Sequence, residues 1–242
     1  MLQQTQGIVL KTFKYSETSL IVRIYTEKLG LQSYLINRVR HKKAKIKPAL
    51  LQGLSVLDMV VYHRQNKNIQ HIKELKLAYV FSAIPFDTVR SSIALFITEI
   101  LYKTIKEATV NTAQFEFLQS FIQYLDLTKL PVGNLHLWFM LHWSAFLGFF
   151  PQNNFEHKKH IFFNIKDGLF CTQKTSKKIY LDAALSEKLS VLLSISLQHL
   201  HQVTLSRLER QQLLQALILF YQTHIEGFDN VQSVKILQVI LS

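Results

Sequence analysis

The hydrophobic period of this chain changes once, near Pro85, and that change limits the folds open to it. Before Pro85, apolar and polar residues alternate with a period of two, the pattern of half-buried strands. After Pro85 the apolar residues recur every three or four positions, as on one face of a helix. Strands gathered first and helices afterwards describe an α+β chain, in which a sheet or barrel is joined to a helical body.

Five strands are predicted in the first part. They cover Ile8 to Phe13, Thr18 to Thr26, Leu31 to Arg40, Val56 to His63, and a fifth stretch between Ile69 and Phe81. In the second, Leu20, Val22 and Ile24 oppose Ile21, Arg23 and Tyr25. In the third, Leu31, Leu35 and Val39 oppose Tyr34, Arg38 and Arg40. Glu27-Lys28-Leu29-Gly30 lies between these two strands, and Gly30 can take the positive φ that closes a hairpin with a bulge. Five short strands suit a small closed barrel, because closure removes exposed edges. A five-stranded OB-type barrel is the economical choice; the strand pattern equally admits an SH3-like barrel.

Helix signals follow. Asp87 can cap a helix carrying Val89, Ile93, Phe96 and Ile100, and Asn111 with Gln114 resembles a capping pair. Pro131 can open an apolar helix reaching about Phe149. Asp182 starts another, and Ser206 with Glu209 forms a capping box for a long helix through Tyr221, with Gly227 at its stop. Val231 to Leu241 reads as a last short helix, which makes a bundle of five or six. The uncharged run Leu135 to Phe150 is shorter than the roughly 20 apolar residues a membrane span needs, so it reads as a buried central helix. The N-terminus lacks the basic segment and unbroken apolar stretch of a secretory signal.

The domains expected are therefore a binding barrel over 1–80 and a helical domain over 81–242, with a basic insert over 151–180. Charge follows the same division. Residues 1–80 hold 14 lysines and arginines against 4 acids, and residues 151–180 hold 6 against 2; elsewhere acids slightly exceed bases. A formal net charge of +12 gathered on one module favours a polyanion as partner. The densest signal is Arg38 to Lys47, where Arg38, Arg40, Lys42, Lys43, Lys45 and Lys47 stand with no acid among them. Neighbouring cations repel until phosphates relieve the repulsion and release counterions from the nucleic acid. Lys11, Lys14, Arg23, Arg64 and Lys67 add to the track, interleaved with Phe13, Tyr15, Tyr25, Tyr34 and Tyr62. Rings beside cations are how single-strand binders hold bases. Tyr34, placed on the face of Arg38 and Arg40, is the preferred stacking residue.

A metal site is the second candidate. His157 and His160 have ligand-like spacing and Cys171 follows, but Lys174 occupies the natural fourth position and is a poor ligand. One cysteine excludes an internal disulfide, and a reducing cytoplasm fits that count, as would a disulfide-free exported protein. There is no phosphate-cradling glycine loop, no nucleophile elbow and no paired carboxylates in the barrel, so neither a cofactor nor catalysis is expected.

Several segments, in order, resemble a known family: Gly7-Ile8-Val9-Leu10-Lys11-Thr12, Tyr15-Ser16-Glu17-Thr18-Ser19, Tyr25-Thr26, Gly30-Leu31, the run Arg38 to Lys47, Leu147-Gly148-Phe149-Phe150-Pro151, Leu213-Leu214, Phe220-Tyr221, His224 and Ser233 to Leu241. Together they look like the bacterial RecO family of DNA repair and recombination proteins. The resemblance implies an OB-fold followed by a helical domain. It implies binding of single- and double-stranded DNA and annealing of complementary strands. It also implies that, with RecR, the protein helps RecA displace single-stranded-DNA-binding protein, whose acidic C-terminal tail docks on the helical domain. A cytoplasmic, nucleoid-associated location follows from it. Some members of that family carry two C-x-x-C pairs in the insert. Here His157 and His160 replace the first and only Cys171 remains of the second, so the insert is expected to fold without metal. The competing readings are an RNA-binding factor using the same barrel, an adaptor whose helical body is the working part, and a peripheral membrane protein.

Overall fold

The computed structural model describes residues 1–37, 39, 46–176 and 178–241. The chain divides into two compact units, Met1–Leu127 and Thr128–Ser242. The first holds strands β1 (Leu2–Lys14), β2 (Leu20–Thr26), β3 (Gly30–Ile36), β4 (Val56–Tyr62) and β5 (Ile69–Leu77), then helices α1 (Thr88–Thr104) and α2 (Thr112–Leu127). The second holds α3 (Leu135–Phe146), strands β6 (Phe162–Asn164) and β7 (Leu169–Cys171), then α4 (Ala183–Ser194), α5 (Arg207–His224) and α6 (Ser233–Ile240). The switch from strand to helix thus falls inside the first unit rather than at its edge.

The five strands close into a barrel in the order β1-β2-β3-β5-β4. All pairings are antiparallel except β3 with β5, which run parallel from Ser33↔Ile69 to Leu35↔His71. This is the OB arrangement, and it decides against the SH3-like alternative. β1 is twice as long as the apolar alternation suggests because it serves two neighbours. Its first half pairs with β4 and its second with β2, and a register shift between Val9 and Lys11 turns it from one to the other. Where both partners crowd it, a side chain at Gly7 would lie 2.5 Å from Ile24 Cγ2 and 2.6 Å from Met59 Cε.

The barrel interior is filled by Val9, Val22, Ile24, Ile36, Leu57, Met59 and Val61, together with Tyr34. β3 therefore faces opposite to expectation: Tyr34 and Ile36 point inward, while Leu35 is only half-buried. The reversal has a physical source. Leu31 is buried although it lies on the other face, so alternation of polarity no longer tells inside from outside. Tyr25 of β2 is likewise buried outside the barrel core, against Phe115 of α2 at 6.1 Å between ring centroids. Its hydroxyl donates to Gln114 Oε1 at 2.6 Å, and burial raises its pKa to about 12 despite the opposing contact with the Asn111 backbone.

Four cap signals hold, whereas Pro131 does not open the apolar helix, which begins at Leu135 after Asn134 and ends at Phe146. Asp87 caps α1 by accepting from the Arg90 N–H, Asn111 Oδ1 accepts from the Gln114 N–H at 3.0 Å, and Asp182 caps α4 through the Leu185 N–H. Ser206 and Glu209 form the reciprocal capping box of α5, and Gly227 beyond it has a φ of 71°. α3 runs 12 residues, nine of them buried, and forms the centre of the second unit. No described helix is long and apolar enough to cross a membrane. In the insert, β6 and β7 form a hairpin anchored by Phe163 and Phe170, whose rings lie 5.0 Å apart and are both buried.

His136 of α3 is fully buried. Burial, reinforced by the nearby Arg210 charge, lowers its pKa from 6.5 to about 3, with the Gly133 backbone opposing. The folded state therefore holds it neutral while the unfolded chain protonates it below about pH 6.5. Its contribution to stability is complete above that pH and declines as the pH falls toward 3. At pH 5 the second unit should lose about 2 kcal/mol relative to pH 7. Urea unfolding at the two pH values, compared with His136→Phe, checks this: the variant should lose the pH dependence, and an unchanged dependence would place its origin elsewhere.

Candidate nucleic-acid interface

Strand β2 places Arg23 on the outer surface, directly across from Lys11 of β1. Like charges opposite each other destabilise a bare sheet. Here a ring eases the strain: Lys11 Nζ lies 5.6 Å and the Arg23 guanidinium 5.3 Å from the centroid of Tyr102, on α1. Phe13 joins them, its ring 6.1 Å from Tyr102.

Arg23 also lines a groove of about 630 Å³ on the first unit. Its other cations are Lys28 from the β2–β3 turn, Lys67 from the β4–β5 loop and Lys106 from the segment joining α1 to α2. No acid lines it among the described residues. Of the four acids in the first eighty residues, Asp58 lies 3.6 Å from Lys76 and Glu74 lies 3.6 Å from Lys73. The groove is thus a concave, acid-free surface with at least four positive side chains, suited to a phosphodiester backbone.

Gln70 shapes one wall. It is almost wholly buried; its Oε1 accepts from the Arg64 N–H at 2.9 Å and its Nε2 donates to the carbonyls of Arg64 (2.8 Å) and Lys67 (2.6 Å). One side chain therefore satisfies three backbone groups of the loop that carries Lys67. Gln70→Ala should cost about 1–3 kcal/mol and speed amide exchange at Arg64. Hydrogen exchange unchanged at Arg64 would show that the loop holds its shape unaided.

Of the residues expected from sequence, Lys11, Lys14, Arg23 and Lys47 lie on the surface or half-buried at the edge of the barrel. Arg38, Arg40, Lys42, Lys43 and Lys45 lie outside the described residues. Two apolar residues among these cations are described: Val39 is in the barrel core and Ile46 packs against it. Tyr34 is a correction. It is fully buried, with no hydrogen-bond partner for its hydroxyl among the described residues, and burial pushes its pKa far up. A ring enclosed in the barrel core offers no face to a base. Of the other rings, Tyr25 is buried too, while Phe13, Tyr15 and Tyr62 are exposed. Sequence reasoning missed Lys28, Lys106, Tyr102 and Gln70. Lys28 was visible in the turn before Gly30; Lys106 was not, because it stands in a segment without excess charge.

The candidate ligands of the insert have other neighbours. His157 lies 3.9 Å from Glu187, His160 lies 3.8 Å from Glu156, and the Cys171 thiol donates to the Phe162 carbonyl. Lys174, at the fourth position, sits 4.5 Å from the Phe162 ring centroid. Among the described residues no group of three or more His, Cys, Asp or Glu could hold an ion.

Comparison with known proteins agrees with this architecture. Residues 1–81 match the family "Recombination protein O N terminal", and residues 85–232 match "Recombination protein O C terminal". The DNA repair protein RecO of Phocaeicola vulgatus is 34% identical over 242 residues, covering 100% of both chains. That of Bacteroides fragilis is 34% identical over 238 residues, 98% of each chain, and that of Flavobacterium psychrophilum is 33% identical over 241 residues, 99% of each. Barrel, helical region and full-length similarity lead to one conclusion: the chain belongs to the RecO family of DNA repair and recombination proteins.

Proposed function

We propose that this protein binds single- and double-stranded DNA through its barrel and anneals complementary strands. With RecR it helps load RecA onto DNA coated by single-stranded-DNA-binding protein, whose acidic tail its helical domain receives. It does so in the cytoplasm, at the nucleoid, without catalysing a covalent step. Family membership supports the setting, and the acid-free cationic groove is the observation that carries the DNA-binding reading. Annealing needs no chemistry. Cations screen the repulsion between two strands and hold them close, and base pairing drives the rest.

If about five to seven phosphates are neutralised, log K for single strands falls with log salt at a slope of about −4 to −5. Replacing Lys42, Lys43, Lys45 and Lys47 by Ala should flatten the slope by about 3. The check is a salt-titrated binding curve on wild type and variant, with matched RNA oligonucleotides alongside. An unchanged slope places the DNA away from the basic run, and a marked preference for RNA overturns the DNA reading.

A further inference from the structure

The groove has a second property besides its charge. Among the described residues lining it there is no phenylalanine, tyrosine or tryptophan. In sequence, the run from Arg38 to Lys47 contains none either. The polar lining is Gln32, Ser33, Gln65, Asn68 and Gln70, with His63 the one aromatic-like ring. Exposed rings exist on this unit, at Phe13, Tyr15, Tyr62 and Phe86 among the described residues, but none lines the groove. Tyr102, nearest to Arg23, has Lys11 and Arg23 over its ring and Phe13 against it.

Barrels that sequester single strands do so with stacking rings beside the cations, and a base stacked on protein is withheld from pairing. We propose that this groove grips single-stranded DNA by its phosphates alone, leaving the bases turned outward, unstacked on protein and open to a complementary strand. The inference rests on the DNA-binding reading and refines it: the same surface that binds the strand presents it for annealing. Lys28, Lys67, Lys106 and Arg23 hold the backbone, and the amides of Gln65 and Asn68 add neutral contacts to phosphate or sugar.

The test compares a thymidine oligonucleotide with an abasic oligonucleotide of the same length, by fluorescence anisotropy at one salt concentration. Each base stacked on a ring contributes about fivefold to more than a hundredfold in affinity. Phosphate-only binding predicts affinities within about threefold and the same salt slope. A second arm uses the chain with Phe13→Leu, Tyr15→Ser and Tyr62→Thr, which should bind the thymidine oligonucleotide within about threefold of wild type. Abasic DNA binding more than tenfold weaker, while Lys28→Glu with Lys67→Glu still abolishes binding to both, overturns this inference and leaves the DNA-binding reading intact. No binding of either oligonucleotide overturns both.

Discussion

Replacing Asp126 by Ala should remove about 3–4 kcal/mol of stability from the first unit. This carboxylate, at the end of α2, is nearly inaccessible and gathers five donors. Tyr79 Oη donates at 2.8 Å, the Ser82 N–H and hydroxyl at 2.9 Å each, the Ala83 N–H at 2.9 Å and the Ile84 N–H at 2.8 Å. Together they fold the stretch after β5 into the turn that starts α1. Hydrogen bonds to a charged acceptor contribute about 1.5–3 kcal/mol each, but exposed donors such as those of Ser82 recover part of the loss from water.

The same donors set how Asp126 titrates. Burial alone would raise its pKa; the N–H groups of Ile84, Ser82 and Ala83 and the Tyr79 hydroxyl outweigh it and hold the value at about 2, below the ordinary 3.8. A depressed carboxylate stabilises the fold fully above the unfolded value. About 2 kcal/mol is then lost as the pH drops from 4 through 2. Asp126→Asn keeps the shape but turns an NH₂ toward donors, so it should cost nearly as much as Ala and abolish that acid dependence. Urea unfolding of both variants decides the matter. Losses under 1 kcal/mol would mean that the turn forms without the carboxylate.

Gly30→Val should be the most damaging change in the β2–β3 hairpin, at about 2–4 kcal/mol. Two costs combine. Gly30 has a φ of +61°, in the left-handed region, where a β-branched residue is most strained. An added Cβ would also fall within 2.5 Å of the Ala108 carbonyl carbon and 2.8 Å of the Thr109 oxygen, closer still to the Ala108 oxygen. Those are backbone atoms and cannot swing aside as a side-chain tip would. The segment that must yield carries Ala108 and Lys106, both in the groove wall. The substitution should therefore weaken oligonucleotide binding as well as stability. Gly30→Ala should show the same effects at smaller size, and a folded Gly30→Val with wild-type affinity would uncouple the hairpin from the groove.

Turn and cap chemistry was legible in advance because it is local. Gly30 between two alternating runs, Asp87, Asp182, and Ser206 with Glu209 each act within about four residues, so their neighbours in sequence are their partners in space. The barrel was legible for a related reason: alternation with period two records which residues a strand turns toward a common core. That record failed at β3, where both faces carry buried residues and the tyrosine chosen for stacking turned out to fill the interior. It also could not show that β1 spans two neighbours.

The amino-acid order on its own established a strand-rich basic module, a helical body and an excess of positive charge at the amino-terminal end. Folding settled where that charge becomes a surface. Arg23 with Lys28, Lys67, and Lys106 come from three segments distant along the chain and meet only because closure of the barrel brings β2 and its turn, the β4–β5 loop and the segment after α1 around one groove. Periodicity and charge counts describe a residue by its near neighbours, whereas a binding groove is defined by contacts between segments far apart in sequence.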